Sequence, residues 1–304
     1  MTGQSPFVRV AVFAMRTRFE ILLCGEDRES DLRAAGEEAL EEIVRIESML
    51  TVHRPDGMLH RLNAAAGQGP VRIDFPLQTF LRRALDLSLA TDGAFDPTVG
   101  PLIDLWRGAG ETGAFPSPEE IADCRATVGS DKVRLNDTEG TLALPVQGAR
   151  FDPGAIGKGY ALDRAASLLR ETGVRCALLH GGTSSVVAIG APPGSPDGWP
   201  IAVGNPPSDS DAVYLTDRAL GVSGVHGRTF QAGRRSFGHV IDPRSGYPVD
   251  RSGLAACLHP SATVADALST ALLVVGEEGL PALSARFPEA RWILKASKAT
   301  PGSD

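Results

Sequence analysis

The first clues are absences. The 304 residues include only four cysteines, Cys24, Cys124, Cys176 and Cys257, and no two form a C-x-x-C pair. A zinc site draws on clustered thiolates and imidazoles, so this spacing argues against one. The four read as core or incidental thiols, consistent with a reducing compartment. G-x-x-x-x-G-K-[ST] does not occur, which removes the Walker loop. The one G-x-G-x-x-G, residues 108–113, falls in a Gly/Pro-rich connector rather than between a strand and a helix, which argues against a dinucleotide fingerprint. Positive charge is not in excess: the net charge is −7, against a nucleic-acid binder, which needs a basic face. An acidic chain that handles a phosphorylated ligand must bring local positive charge or a metal to it. No apolar window is long enough for a membrane span. Arg9, Arg16, Arg18 and Glu20 interrupt what would be the apolar core of a signal peptide. A soluble, cytoplasmic protein is expected.

What is present is a sequence of short, turn-linked elements. Residues 8–23 alternate as a strand or strand pair. Residues 31–50 place Leu32, Ala35, Ala39, Ile43, Ile46 and Leu50 at helical spacing. Residues 51–69 read as loop, 77–91 as a helix ended by Asp92-Gly93, and 108–118 as a Gly/Pro-rich connector. A hairpin is expected around Asn136-Asp137 and a helix over 156–172. Strands are expected at 177–179, 186–189, 201–203, 213–215, 221–223, 236–241 and 291–294, with a turn at 192–198. Strands in turn-linked groups, without strict strand–helix alternation, predict an α+β fold with antiparallel sheets flanked by helices. Residues 1–295 are expected to form a single domain of two closely packed α+β lobes, with 296–304 a disordered tail.

The most informative stretch is SATVADALSTALLVVG, residues 261–276. It reads as a helix that is apolar almost all round, followed by another over 278–287. Asp266 and Thr270 are set into it at i and i+4, on one face. A carboxylate in such a run is costly unless it is paired or binds a metal. Two readings of the pair stand open. Its oxygens suit a hard cation such as Mg²⁺; alternatively, Asp266 caps the helix start and Thr270 bonds back to a carbonyl.

Four further segments combine Asp, Pro and Gly where turns form and ligands approach backbone: DGAFDPTVGP (92–101), FDPGAIGKGYALD (151–163), HGGT (180–183) and GHVIDPRSGYP (238–248). Together with FAMRT (13–17), HRPDGMLHRLN (53–63), SGVHGRTF (223–230) and ATVADALSTAL (262–272), their order and spacing resemble the FAD:protein FMN transferases, the ApbE-like flavin transferases. The resemblance covers almost the whole chain.

That resemblance implies a T-fold-like flavin transferase architecture. It also implies an activity: binding FAD with Mg²⁺, cleaving the pyrophosphate, and moving FMN to a Thr or Ser hydroxyl of a target flavoprotein with release of AMP. Carried over position by position, Asp266, Thr270 and the carbonyl of Ala155 are implied as metal ligands. Asp152 and Lys158 are implied along the FAD, Ala94, Phe95 and Asp96 around another part of it, and Met15 near its rings. His53 stands where many members carry Tyr. His239 and Val240 are implied on the pyrophosphate side. His239 is either the general base for the attacking hydroxyl or a hydrogen-bond donor to phosphate. Lys158 either neutralises phosphate or covers its helix start. Water as acceptor would make the chain an FAD pyrophosphatase, and a third reading is a non-catalytic FAD binder. The chain departs from the family pattern at Arg16, where Gly is usual, at His53, at Thr183, and at Val225 and His226.

Overall fold

The alternating stretch near the N-terminus pairs with itself. A computed structural model describes residues 7–204, 212–224, 229–232, 235–250 and 253–296. Strands β1 (Phe7–Ala14) and β2 (Thr17–Cys24) form an antiparallel hairpin closed by Met15 and Arg16. Both turn residues have positive φ, 49° and 62°, as in the tight turns whose twist matches the strands.

The chain continues through α1 (Glu29–Leu50), α2 (Met58–Ala64), β3 (Val71–Arg72), α3 (Phe75–Ala90), α4 (Gly100–Thr112), α5 (Pro118–Ala126), β4 (Arg134–Asn136) and β5 (Thr141–Ala143). Next come α6 (Gly157–Glu171), β6 (Ala177–Gly181), β7 (Ser185–Ile189), β8 (Trp199–Ala202), β9 (Ala212–Leu215) and β10 (Ala219–Gly224). The described chain ends with β11 (Thr229–Ala232), β12 (Arg235–Gly238), β13 (Gly253–His259), α7 (Ala262–Arg286) and β14 (Arg291–Ala296).

The main sheet has seven strands in the order β1-β2-β6-β7-β10-β13-β14, and every neighbouring pair is antiparallel. Helices α1, α6 and α7 pack on it side by side, over β1–β2, β6–β7 and β10–β13. Phe19, Ile21, Leu23, Ile43, Ile46, Leu162, Leu169, Leu268 and Leu272 fill the space between; each such side chain contributes about 1.5–3 kcal/mol when withdrawn from water. The β8–β9 hairpin covers part of the other face through Trp199 and Leu215, which meet Val186, Ala188, Leu220 and Ala256. A separate cluster of Leu102, Trp106, Ile121, Val128 and Ile241 joins α4 and α5 to the GHVIDPRSGYP loop. There the Trp106 indole N–H donates to the Gly246 carbonyl at 2.8 Å.

The α+β, antiparallel expectation holds, and four local readings are corrected. The stretch expected as loop at 51–69 contains α2, which buries Leu59 and Leu62. The connector expected at 108–118 starts inside α4, whose Pro101 lies in the first turn and whose Leu102, Trp106 and Ala109 are buried at i, i+4 and i+7. Helix α5 then opens on a capping box, Ser117 with Glu120. Strand β13, between β10 and β14, is an apolar run buried on both faces, which leaves no alternation to read. The helices expected at 261–276 and 278–287 form one element broken at Gly276, where φ is 64°. Of the tail expected at 296–304, Ala296 ends β14 and the rest lies outside the described residues.

The cysteine reading is corrected as well. Cys24 and Cys176, on adjacent strand ends with Cα atoms 5.3 Å apart, are joined as a disulfide. Cys124 and Cys257 are free thiols. Alkylation of the denatured, unreduced protein should therefore label two cysteines, rising to four after reduction, as read by intact mass. Four labelled without reduction would show that the bond is open.

Arg16 holds a left-handed conformation that costs a side-chain-bearing residue about 1 kcal/mol or more. Arg16→Gly should stabilise the fold by about 0.5 kcal/mol in urea titration, part of the gain being offset by a freer unfolded chain. A loss of stability would mean that contacts of the exposed Arg16 side chain outweigh the strain.

Candidate active site

Helix α7 is held at its start by another helix. Asp163 of α6 accepts from the Ser261 hydroxyl at 2.6 Å, from the Ala262 and Thr263 amides at 2.7 and 2.9 Å, and from the Thr263 hydroxyl at 2.6 Å. Asp163, with Ser261, is thus the cap, and the reading of Asp266 as the cap is corrected. Asp266 lies a turn further in, 6 % exposed. Its carboxylate accepts from the Gly159 amide at 2.7 Å and from the Ser185 hydroxyl of β7 at 2.8 and 3.0 Å.

These contacts require close backbone approach. A Cβ on Gly159 would stand 2.3 Å from the Ala262 carbonyl oxygen and 2.9 Å from the Asp266 carboxylate. A Cβ on Gly221 of β10 would stand 2.4 Å from the Ala265 carbonyl. Helix α7 therefore touches α6 and β10 at backbone distance, and the Asp266 carboxylate sits at the α6 N-terminus, where the dipole favours negative charge.

The charge is still incompletely compensated. Burial pushes the Asp266 carboxyl up from 3.8 to about 7, against the opposing pull of the nearby Lys158 charge and the Ser185 and Gly159 hydrogen bonds. Two hydrogen bonds to a charged group contribute about 3–6 kcal/mol, while burying an ion costs several kcal/mol, so the balance is close and a cation would tip it.

Two other oxygens are carried by the segments that hold this carboxylate. By donating to Asp266 rather than to the carbonyl four residues back, the Gly159 amide leaves the Ala155 carbonyl, just before α6, to other partners. Thr270, one turn along from Asp266, does not bond back to its helix carbonyl; its hydroxyl is 3.0 Å from Ser223 Oγ of β10. Among the described residues no three His, Cys, Asp or Glu side chains cluster as a metal site would. A cation here would rest on one carboxylate plus hydroxyl and carbonyl oxygens, a donor set that suits a hard divalent ion such as Mg²⁺.

The remaining expected residues fall into two groups. Asp152 and the 94–96 segment are stitched together: the Asp152 amide donates to the Pro97 carbonyl at 2.7 Å, and Arg150 bonds the Gly100 carbonyl at 2.8 Å. Asp152 Oδ1 accepts from the Gly154 amide at 2.7 Å, shaping the turn that carries Ala155. The Asn63 side chain clamps Phe151 from both sides, at 3.0 and 2.9 Å. Asp96 is as buried as Asp266, but its carboxylate is taken up by Ser88, Thr98 and Ser130. Ala94 and Phe95 are core residues. What this segment offers a ligand is therefore its shape and backbone more than its side chains.

The second group comes from the β1–β2 turn and from two loops. Met15, at the β1–β2 turn, donates its amide to Glu47 of α1 at 2.5 Å. That turn neighbours the HGGT turn, where the Gly182 amide donates to the Arg18 carbonyl at 2.9 Å. Ser185 opens β7 from that turn, and register sets Ser185 opposite Gly221, so β10 reaches Ser223 at the same end. His53 is exposed on the loop leaving α1, its amide 3.4 Å from the Thr51 hydroxyl. His239 and Val240 are half-buried, the Val240 carbonyl accepting from Val249 at 2.8 Å. Val225 and His226 lie outside the described residues.

Sequence reasoning missed Gly159, Ser185, Gly221, Ser223, Asn63 and Asp163 as parts of this framework. Four of them, Gly159, Asp163, Asn63 and Ser223, lie inside motifs already singled out, which was the available signal.

The sequence profile of the ApbE family matches residues 15–293. The chain belongs to the ApbE family. That membership makes it an enzyme of the flavin-transferase class. A protein of Klebsiella pneumoniae named FAD:protein FMN transferase is 32% identical over 68% of this chain and 65% of its own length. A Treponema pallidum protein of the same name is 30% identical over 85% of this chain and 76% of its own. The solved ApbE protein of Thermotoga maritima is 29% identical, with a TM-score of 0.84 over 95% of this chain and 94% of that one. The apo flavinyl transferase ApbE of Pseudomonas stutzeri is 25% identical, with a TM-score of 0.79 over 98% of both.

The site makes a pH prediction for the cation-free ApbE-family protein. The folded value of Asp266 lies above its unfolded value, so the native state holds an extra proton between the two. The stabilisation is fully present below 3.8 and is lost as pH rises through about 7. In chelator, the unfolding midpoint should drop as pH rises from about 4 to about 7, and Asp266→Asn should flatten that drop. An unchanged slope in the variant would assign the effect to other groups.

Proposed function

We propose that the chain transfers the FMN half of FAD to a Ser or Thr hydroxyl of a target flavoprotein, with AMP as the leaving group. The observation that carries this reading is Asp266, a buried carboxylate with charge left to compensate, with the Thr270 hydroxyl one turn along its helix and the Ala155 carbonyl four residues before its donor Gly159. In this reading those three oxygens hold Mg²⁺, which supplies neutralisation of the pyrophosphate oxygens. Lys158, at the start of α6, adds a second positive charge for a phosphate. The α6 N-terminus favours an anion nearby.

The acceptor hydroxyl attacks the FMN phosphorus while the bond from that phosphorus to the AMP oxygen breaks, and AMP leaves with the displaced oxygen. Such a step depends mainly on positioning and electrostatics. His239 takes the hydroxyl proton. It stands at the head of a loop braced at Val240 by Val249 and at Gly246 by Trp106, which suits a group that must be held in place. Asp152, Met15, His53 and the 94–96 segment line the FAD in this proposal, and residues 1–295 act as one transferase unit of two lobes.

No helix among the described residues is long and apolar enough to cross a membrane. The cytoplasmic placement expected from the sequence fits poorly with the Cys24–Cys176 bond, since cytosolic reductants keep such pairs open. The bond favours an oxidising compartment.

The test is incubation with FAD and Mg²⁺, with and without a flavoprotein subunit bearing a flavinylation-type Ser or Thr. Covalent flavin on the subunit, matched by AMP, is expected, and Asp266→Ala should abolish both. FMN and AMP formed equally well without the subunit would point to hydrolysis. Flavin that stays bound and intact would point to a carrier. Full transfer by the Asp266→Ala variant would remove Asp266 from the reaction.

A further inference from the structure

Three hydroxyls meet where β10 crosses α7. Ser223 Oγ lies 2.9 Å from Ser269 Oγ and 3.0 Å from Thr270 Oγ1. Ser269, 1 % exposed, lies 2.9 Å from the backbone carbonyl of Asp266. Each hydroxyl has one hydrogen to give, so the directions can be worked out from the end of the chain. The Asp266 carbonyl only accepts, so the Ser269 hydrogen goes to it. Ser269 Oγ must then accept from Ser223. With its hydrogen spent on Ser269, Ser223 Oγ must accept from Thr270. The relay runs one way: Thr270 to Ser223, Ser223 to Ser269, Ser269 to the carbonyl of Asp266.

The consequence falls on Thr270. Its hydrogen is committed to the protein, and its remaining oxygen lone pairs are left to accept. A hydroxyl that ligates a cation has to present lone pairs and turn its hydrogen away. Without Ser223, a helical Thr readily turns its hydroxyl to the carbonyl four residues back, here that of Asp266, and re-aims its oxygen.

We infer that Ser223, supported by Ser269, is a positioning residue that fixes the Thr270 hydroxyl as a cation acceptor. The inference rests on the Mg²⁺ reading of Asp266 and Thr270 given above. It assigns a role to the Ser of the SGVHG segment, where the neighbouring Val225 and His226 depart from the family pattern. The relay begins before those departures.

Metal binding by the full chain, free of flavin, provides the test: Mg²⁺ titrated calorimetrically, and Mn²⁺ by its electron-spin-resonance signal. Removing a partner that orients a metal ligand typically costs about 10–100-fold in affinity. Ser223→Ala should show a loss in that range, with Ser223→Thr, which keeps the hydroxyl, restoring binding to within about threefold. Each variant's circular dichroism is compared with wild type first. Should Ser223→Ala fail to fold, Ser269→Ala, which removes the next link, is read instead and is expected to lower affinity in the same direction. Wild-type affinity in the folded alanine variant, or no recovery with Thr, overturns the inference. Asp266→Asn and Thr270→Val identify the other failure: if they too bind as wild type, the metal reading itself is wrong.

Discussion

A carboxylate buried between the start of one helix and the middle strands of the sheet organises this molecule. Asp266 can occupy its position only because Gly159 and Gly221 let the backbones of α6 and β10 approach α7 without a Cβ between them. The same contact that accommodates the carboxylate supplies its donor, the Gly159 amide. A methyl group at either glycine would push α7 away, and overpacking of this kind costs about 1–3 kcal/mol. It would also leave the Asp266 charge with fewer partners. Packing and electrostatics are therefore one constraint here.

Three buried or part-buried aspartates show how environment separates structural acids from one with capacity to spare. Asp163 is spent on the start of α7, with four short hydrogen bonds. Asp96 is spent on Ser88, Thr98 and Ser130. Asp266 has one amide and one hydroxyl, and burial lifts it to about 7. Burial alone does not distinguish Asp96 from Asp266, at 8 % and 6 % exposed; the donor count does. In a chain of net charge −7, an under-compensated carboxylate repels an anionic ligand unless a cation stands between them.

The periodic elements were legible because their signals are local. The β1–β2 alternation, the spacing of α1 and the long apolar α7 each follow from side chains within a few residues of one another. Helices α4 and α5 carried local signals too, Pro101 in a first turn and the Ser117/Glu120 box, but they were obscured by the Gly and Pro content of 108–118. Strand β13 was not legible by period, because burial on both faces removes alternation. At the site, Asp266 and Thr270 stood out as polar groups in an apolar helix. Their partners did not, since Ser185 and Ser223 come from strands 81 and 47 residues away. The capping role first open to Asp266 went to Asp163, 98 residues before Ser261, and no pattern within one helix foretells a cap supplied by another.

Three of the family departures, Arg16, His53 and Thr183, lie among the described residues, and all three are exposed. Arg16 occupies a left-handed turn position at φ 62°, the conformation that makes Gly usual there. His53 is exposed beyond the end of α1, and Thr183 belongs to the HGGT turn beside Ser185. None of these is among the groups that bond to Asp266 or Thr270. Those groups are Gly159, Ser185 and Ser223, each fixed by backbone approach or by a hydroxyl whose loss would strand a buried partner. An exposed loop residue carries no such penalty, because water replaces whatever contact is lost. These exposed positions can therefore vary at little cost to the fold, while the oxygen cluster around α7 cannot.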